Sequence, residues 1–405
     1  MATSTKYKIT KPIRLIEFFS GYGSQYFALK YLNADVQPWK TCEWNINSIL
    51  AYYYFHNELQ TVRTTFKKEN LIPILRHLGV SADCQTHASP RILNAMSEEQ
   101  LNELFTAIEA THNLVDITKV HGEDLDIDDI NDYEYVLTYS FPCQDLSTAG
   151  KQAGMVENSN TRSSLLWEVG RILSELNDLG TLPNILIMEN VTQVHNKNNI
   201  EIFEKWQQQL KAYGYSNFYA DIDAQNCGIP QHRNRCFMIS ILGEHSYVFK
   251  DNIPLTCSLS DFLEQDVPDE YFILNKNKTT RTHYLANKIL EKAAMCPTQI
   301  VNGSFVEHRI SELEKNKLKL CNTKNKNIAQ TLTTGMHMYW VCVDTPEGRT
   351  LREFTPRECL RLMGVHDNDI DKIINKISKK WLRHLAGDSI VINSLMHVFS
   401  PLLED

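Results

Sequence analysis

The sequence predicts a doubly wound α/β domain joined to a smaller, irregular second domain, and three observations carry that expectation. Short apolar runs alternate with helical patterns through the first half of the chain. Those runs are apolar on both faces, as in strands of a parallel sheet covered by helices on each side. The alternation fades near Leu242, and a polar, weakly periodic stretch takes over. At 405 residues the chain has room for two or three domains and a sizeable core.

Taken in order, residues 13–19, 133–140, 184–188 and 236–242 read as strands, and a further strand ends in Cys42-Glu43-Trp44. Residues 46–55, 98–110, 164–176 and 200–213 carry apolar positions at helical spacing. From there to residue 344 the chain is rich in Asn, Lys and Thr, as in NKNKTTRTH and CNTKNKN, and residues 387–403 regain a dense apolar pattern that predicts a helix returning to the first domain. The expected organisation is a catalytic domain over 1–244, a recognition domain over 245–345, a hinge and scaffold over 346–380, and the returning helix within 381–405.

Hydrophobic residues make up 42% of the chain and charged residues 22%, which excludes wholesale disorder. No window holds 18 apolar residues and residues 1–11 are polar, so neither a membrane span nor a secretory signal is expected and the location is read as cytoplasmic. Ten cysteines occur with no CxxC pair, which argues against a zinc site, so no metal is expected; chain size and compartment argue against a disulfide framework. The net charge of -8 hides an asymmetry: residues 271–330 hold eleven Lys and Arg against four Glu and no Asp. A basic segment on an acidic body suits one face turned towards a polyanion.

The first strand leads into Gly21-Tyr22-Gly23 and then a helix, a geometry that lets backbone approach a ligand at the carboxyl edge of a sheet. The third glycine of a dinucleotide fingerprint is missing, since Tyr26 stands there. Glu43, twenty residues beyond Gly23, can accept from ribose hydroxyls, and Phe19 and Trp44 offer flat faces for a base. Together they favour a nucleoside ligand without a pyrophosphate, and S-adenosylmethionine fits that description.

Residues 133–140 run directly into Phe141-Pro142-Cys143-Gln144, which places a proline-held thiol at the same edge, suited to nucleophilic work. Residues 145–163, with Gly150 and Gly154, read as a lid. The next strand ends in Glu189, whose partial desolvation should raise its pKa and suit it to donate a proton. Downstream, Gln231-His232-Arg233-Asn234-Arg235 alternates two guanidinium groups that could share one face of an extended chain.

In this order the pieces resemble the cytosine-C5 DNA methyltransferase family. The resemblance rests on FFSGYGS, CEW, DIT, LTYSFPCQDLS, TRSSLLWE, MENV, QHRNR, AQTLT, REFTPRECLRLMG and GDSI, which span residues 14–391 and leave the segment near 245–325 unmatched. LTYSFPCQDLS and TRSSLLWE look most like bacterial stand-alone or restriction–modification enzymes. The resemblance implies a Rossmann-like S-adenosylmethionine-dependent methyltransferase sheet with a target-recognition domain in the basic segment. It also implies a cytosine extruded from double-stranded DNA. The Cys143 thiolate adds to C6, Glu189 serves N3 and the exocyclic amine, and Arg235 and secondarily Arg233 contact the cytosine carbonyl or backbone.

For the cofactor the resemblance carries over Phe19, Gly21, Gly23, Glu43, Trp44, Asp116, Pro142, Leu165, Asp388 and Ser389, with Asp116 at the adenine and Pro142 beside the sulfonium. Asp388 stands where the family usually has Asn, so it keeps an acceptor and loses an amide donor. Gln144, Ser147, Gln231 and Thr331 are carried to DNA. Monomeric action and a separately acting cognate restriction endonuclease are implied in the same way. Two rival readings are a tRNA cytosine-C5 methyltransferase and a catalytically silent DNA-binding regulator on the same fold.

Overall fold

The five expected strands and one further strand assemble into one mixed sheet in the computed structural model, which describes residues 5–57, 65–142, 162–272, 300–302, 328–334, 339–346 and 348–404. The strands are β1 (Ile13–Phe18), β2 (Val36–Cys42), β3 (Glu134–Tyr139), β4 (Ile185–Val191), β5 (Tyr215–Asp223) and β6 (Asn234–Leu242), in the order β2-β1-β3-β4-β6-β5. Strands β1, β3 and β4 are enclosed along their whole length, which is why both their faces are apolar. The first four strands run parallel.

The expected all-parallel arrangement needs one correction, because β6 runs antiparallel to β4, with Val191 opposite Arg235 and Glu189 opposite Phe237. A strand buried on both faces carries the same apolar run in either direction, so its composition does not encode its sense.

The chain divides into two units. The first comprises Met1–Ile222, Asn234–Asp251 and Ser394–Asp405. Its helices are α1 (Ser24–Tyr31), α2 (Ile46–His56), α3 (Lys68–Leu78), α4 (Pro90–Ala95), α5 (Glu98–Ala110), α6 (Leu166–Leu179) and α7 (Ile200–Ala212). Helix α2 begins where Asn45 accepts from the amides of Asn47 and Ser48, a cap worth about 1 kcal/mol. Helix α5 begins with a reciprocal capping box between Ser97 and Gln100. A core cluster joins β3, β4, α6 and α7 through residues such as Leu137, Leu173, Met188 and Trp206, whose indole donates to Tyr139 Oη at 3.0 Å.

The second unit comprises Asp223–Arg233 and Asn252–Asn393, so it takes in more than the 245–345 segment assigned to recognition. Its described strands are β7 (Ile300–Asn302), β8 (Tyr339–Thr345) and β9 (Gly348–Glu353), an antiparallel sheet ordered β9-β8-β7. They precede α8 (Pro356–Arg361), α9 (Asp367–Ile373) and α10 (Lys379–Asp388). The REFTPRECLRLMG stretch builds the core of this unit's turn into α8. Arg352 and Glu358, both enclosed, form a two-pronged ion pair with contacts of 2.6 and 2.8 Å, and Thr355 caps α8.

The helix expected over 387–403 begins five residues later, because the preceding helix runs on to Asp388. α10 ends at Asp388, and α11 (Ile392–Leu403) starts after Ser389 turns extended. In the first unit, residues of α11 tie to earlier chain: Tyr247 Oη donates to the Val398 carbonyl at 2.8 Å, and the Ile9 amide to that of Leu402 at 2.8 Å.

Candidate active site

Because β1 to β4 are parallel, their carboxyl ends share one edge; Phe19, Gly21, Gly23, Glu43, Trp44 and Pro142 follow β1, β2 and β3 there, whereas Asp116 lies on the connection after α5, where the Leu114 amide bonds to the end of β2, and Leu165 lies just before α6. The loop after β1 is left-handed at Phe19, Gly21 and Gly23, with φ of 56°, 54° and 82°. Phe19 has a Cβ to accommodate there, and such strain is characteristic of ligand loops. Gly23 has no room for one: a Cβ would lie 2.5 Å from His56 Nε2 and 2.7 Å from Tyr52 Cε2, on the buried side of α2.

Glu43 is fixed from both sides. Its Oε2 accepts from the Gly21 amide at 3.0 Å and its Oε1 from the Asn45 amide at 2.7 Å. Asn113 brackets its backbone, accepting from the Glu43 amide and donating to the Glu43 carbonyl, both at 3.0 Å. Two residues further on, Val115 turns left-handed and Asp116 follows it, enclosed, with Oδ1 accepting from the Thr118 amide at 3.1 Å and hydroxyl at 2.8 Å. Arg171 on α6 pins this turn from behind by donating to the carbonyls of Ile117 and Val120.

Phe19, Gly21, Glu43, Trp44, Pro142 and Leu165 are half-buried, whereas the strands behind them are enclosed. The polar groups gathered here are two carboxylates, with backbone and two aromatic rings. Such a set suits a ligand with hydroxyls, an amine and a cationic centre. S-adenosylmethionine has the matching chemistry, so these residues fit that cofactor.

At the end of β4, Glu189 Oε1 lies 3.2 Å from Arg235 Nε, and both side chains are largely buried. The antiparallel sense of β6 creates this pair, because it brings the start of that strand to the carboxyl end of β4. Asn190, which sequence reasoning passed over, donates from Nδ2 to the Phe141 carbonyl at 3.0 Å and so couples the ends of β3 and β4 just before Pro142. Its position inside the ENV stretch was the available signal.

Cys143, Gln144 and Ser147, with Gly150 and Gly154, lie outside the described residues. Of the described thiols, Cys236 sits beside Arg235 in sequence, but burial first and then the Asp221 and Glu189 charges push it far above the ordinary cysteine range, so it is held protonated. Cys236, His195 and Asp221 present donor atoms within 4.8 Å of one another. His195 and Asp221 already pair at 2.8 Å, and the trio reads as packed structure.

Gln231, Arg233, Thr331, Asp388 and Ser389 belong to the second unit. Arg233 is enclosed; Nη1 donates to the Leu332 carbonyl at 2.7 Å, and Nη2 to those of Gly387 at 3.0 Å and Ser389 at 2.6 Å. It therefore braces the Gly387-Asp388-Ser389 backbone, on which Asp388 is exposed. Gln231, expected at DNA, is 0% exposed, donates to the Leu362 carbonyl at 2.8 Å and accepts from the Leu332 amide at 3.0 Å. Enclosure of an amide bonded at both ends makes it a brace in this unit. Thr331 Oγ1 donates to the His232 carbonyl at 2.5 Å.

Comparison with known proteins matches residues 85–404 to the family described as C-5 cytosine-specific DNA methylase. The type II methyltransferase M2.ScrFI of Lactococcus lactis subsp. cremoris is 30% identical over 97% of this chain and 99% of its own length. The orphan methyltransferase M.SssI of Spiroplasma monobiae is 36% identical over 58% of this chain and 61% of its own. Among solved structures, the Dnmt2 methyltransferase of S. pombe superposes with a TM-score of 0.58 at 17% identity, covering 96% of this chain and 98% of that one, a likeness of fold.

Proposed function

The chain belongs to the C-5 cytosine-specific DNA methylase family, and from that membership we propose that it methylates C5 of a cytosine in double-stranded DNA, at a short specific sequence, using S-adenosylmethionine. The observation that carries the cofactor assignment is the Gly21–Glu43 hydrogen bond between the turns after β1 and β2, with Asn113 bonded to the Glu43 backbone three residues before Asp116, and the Glu189–Arg235 pair at the end of β4.

Cytosine C5 is a poor nucleophile, so the ring must first be made electron-rich. Cys143 supplies the electron pair by adding to C6, which requires the thiolate, a minor species at neutral pH for a free cysteine of pKa about 8.5. Glu189 protonates or hydrogen-bonds N3, which balances the electron pair that the sulfur pushes onto the ring, and accepts from the exocyclic amine, while Arg235 Nε lies 3.2 Å from the Glu189 carboxyl and presents its guanidinium to the base. Bound S-adenosylmethionine supplies the electrophilic methyl. Solvent water takes the C5 proton, the C5–H electron pair re-forms the C5–C6 double bond, and the Cys143 sulfur leaves with the C6–S pair as the thiolate, which restores the aromatic ring. Attack above the ring plane requires the base to leave the stack, at a cost of a few kcal/mol.

Gln144 and Ser147 are proposed to meet the opened duplex, and the basic 271–330 stretch its phosphates, which would make affinity fall steeply with salt. A separately acting restriction endonuclease is part of the proposal, since M2.ScrFI is named a type II methyltransferase. No helix among the described residues is long and apolar enough to cross a membrane. The deciding experiment offers labelled methyl donor with duplex DNA or with tRNA, followed by bisulfite sequencing of DNA from expressing cells. Incorporation into duplex at one sequence supports the reading; incorporation into tRNA alone, or into neither with DNA still bound, replaces it with one of the two rivals.

A further inference from the structure

Between the Glu43-Trp44 turn and Asp116 the chain passes through α2, α3, α4 and α5, and residues 79–88 form a turn between α3 and α4. That turn is tightly specified. The Ser81 amide donates to the Trp44 carbonyl at 2.7 Å and the Ile46 amide to that of Ser81 at 2.8 Å, so the turn adds a bridge alongside Asn45. Within it, Ala88 bonds back to Val80 at 2.7 Å, Ser81 Oγ donates to the Thr86 carbonyl at 2.7 Å, and Asp83 accepts from the amides of Gln85 and Thr86 at 2.8 and 2.9 Å. Gly79, with φ of 88°, closes α3 where a Cβ would lie 2.9 Å from Asp116 Oδ2 and 3.2 Å from His87 Nε2.

This construction delivers one side chain. His87 Nε2 is 3.0 Å from Asp116 Oδ2, and its ring meets Trp44 edge-on with centroids 5.8 Å apart. It therefore touches both residues assigned above to the base of the cofactor. Because a carboxylate only accepts, Nε2 must carry the proton in that contact. A carboxylate offers about four acceptor positions. On Asp116 the Thr118 amide and hydroxyl take Oδ1, His87 takes one position on Oδ2, and Lys119 Nζ stands off at 3.6 Å as a charge contact. Among the described residues, no second hydrogen bond is made to Oδ2, which leaves an acceptor position there for an incoming amine.

We propose that His87 is a positioning residue of the cofactor pocket: it fixes Asp116 Oδ2 to receive an exocyclic amine and, with Trp44, walls the adenine end. The inference deepens the function proposed above and rests on its assignment of Asp116 to adenine.

The test uses the full chain and compares S-adenosylhomocysteine with S-inosylhomocysteine, which lacks the exocyclic amine, alongside steady-state methylation of duplex DNA. His87→Ala is expected to weaken S-adenosylhomocysteine binding and raise the KM for S-adenosylmethionine about five- to ten-fold, the size of one hydrogen bond. The preference for adenosyl over inosyl ligand should shrink, with kcat at saturating cofactor within about two-fold. His87→Gln, which keeps an N–H donor, should recover most of the loss. Unchanged KM and preference in His87→Ala, while Asp116→Ala loses both, overturns the role of His87 and leaves the pocket standing. A fall in kcat alone, or no rescue by Gln, also overturns it. An adenosyl preference that survives Asp116→Ala overturns the pocket assignment and the inference together.

Discussion

Glu17 offers the sharpest quantitative test of how the glycine loop after β1 is supported. It lies on β1, 0% exposed, and its carboxyl is met by neutral donors: Tyr52 Oη on α2 at 2.5 Å and the Tyr26 amide at 3.3 Å. Burial raises its pKa from 4.5 to about 7, with the two hydrogen bonds opposing the shift. The folded chain thus keeps a proton through a range in which the unfolded chain has already released it. Stability from this group is fully present below about pH 4.5, declines as pH rises, and is lost once pH passes about 7. A difference of about 2.5 units at about 1.36 kcal/mol per unit gives an upper bound of about 3 kcal/mol.

Glu17→Gln removes the titration while keeping the shape. The Gln oxygen can accept from Tyr26, and its amide can donate to Tyr52. Urea unfolding of both proteins between pH 5 and 8.5, followed by tryptophan fluorescence, isolates the effect, because every other titrating group is common to the two. The variant is expected to match the wild type near pH 5 and to exceed it by up to about 3 kcal/mol at pH 8. Superimposable profiles would refute the claim that desolvation governs this carboxyl. So would a variant that is less stable at every pH.

The chemistry and the packing give four further expectations. Cys143→Ser should abolish methyl transfer with cofactor binding retained, and duplex bearing 5-fluorocytosine should become covalently attached to the wild type only, read by denaturing gel, because fluorine cannot leave as a cation. Gly23→Ala places a Cβ against His56 and Tyr52 at a left-handed position, so calorimetry should show cofactor binding weakened at least about ten-fold and stability lowered by about 1–3 kcal/mol. The two arginines of QHRNR should separate: Arg235→Ala lowers kcat by about 10²-fold at nearly unchanged melting temperature, whereas Arg233→Ala, which strips donors from three carbonyls, mainly lowers the melting temperature. Glu358→Gln leaves Arg352 enclosed without its counter-charge and should cost about 3–5 kcal/mol in chemical unfolding.

What the sequence made legible follows from how local the signals are. Helix α5 was read at its observed limits because Ser97 and Gln100 form a capping box and its apolar positions repeat at helical spacing. The enclosed strands β1, β3 and β4 announced themselves as apolar runs. Helices α3 and α4 were not anticipated: α3 carries Pro73 within it and α4 spans only Pro90–Ala95, so neither offers a long clean period. Strand β5 was missed because its residues are mostly half-buried or exposed, as in YSNFYADID. The break between α10 and α11 was hidden because an apolar pattern does not register a bond from Ser389 Oγ to the Leu385 carbonyl, or an Arg233 donating to the carbonyls on either side of Asp388.

The alternation of Arg233 and Arg235 does not place both guanidinium groups on one face. Two side chains two residues apart share a face only if the chain around both is extended and both face the same surroundings. Here β6 begins at Asn234, and Arg233 is taken up by carbonyls contributed from residues 332, 387 and 389. Arg235 is already inside the strand, paired with Glu189, and it stands at that edge only because β6 runs against β4. A parallel β6 would have carried Arg235 to the opposite end of the sheet. One strand direction, invisible in composition, therefore decides which guanidinium stands beside the acid on which the proposed chemistry depends.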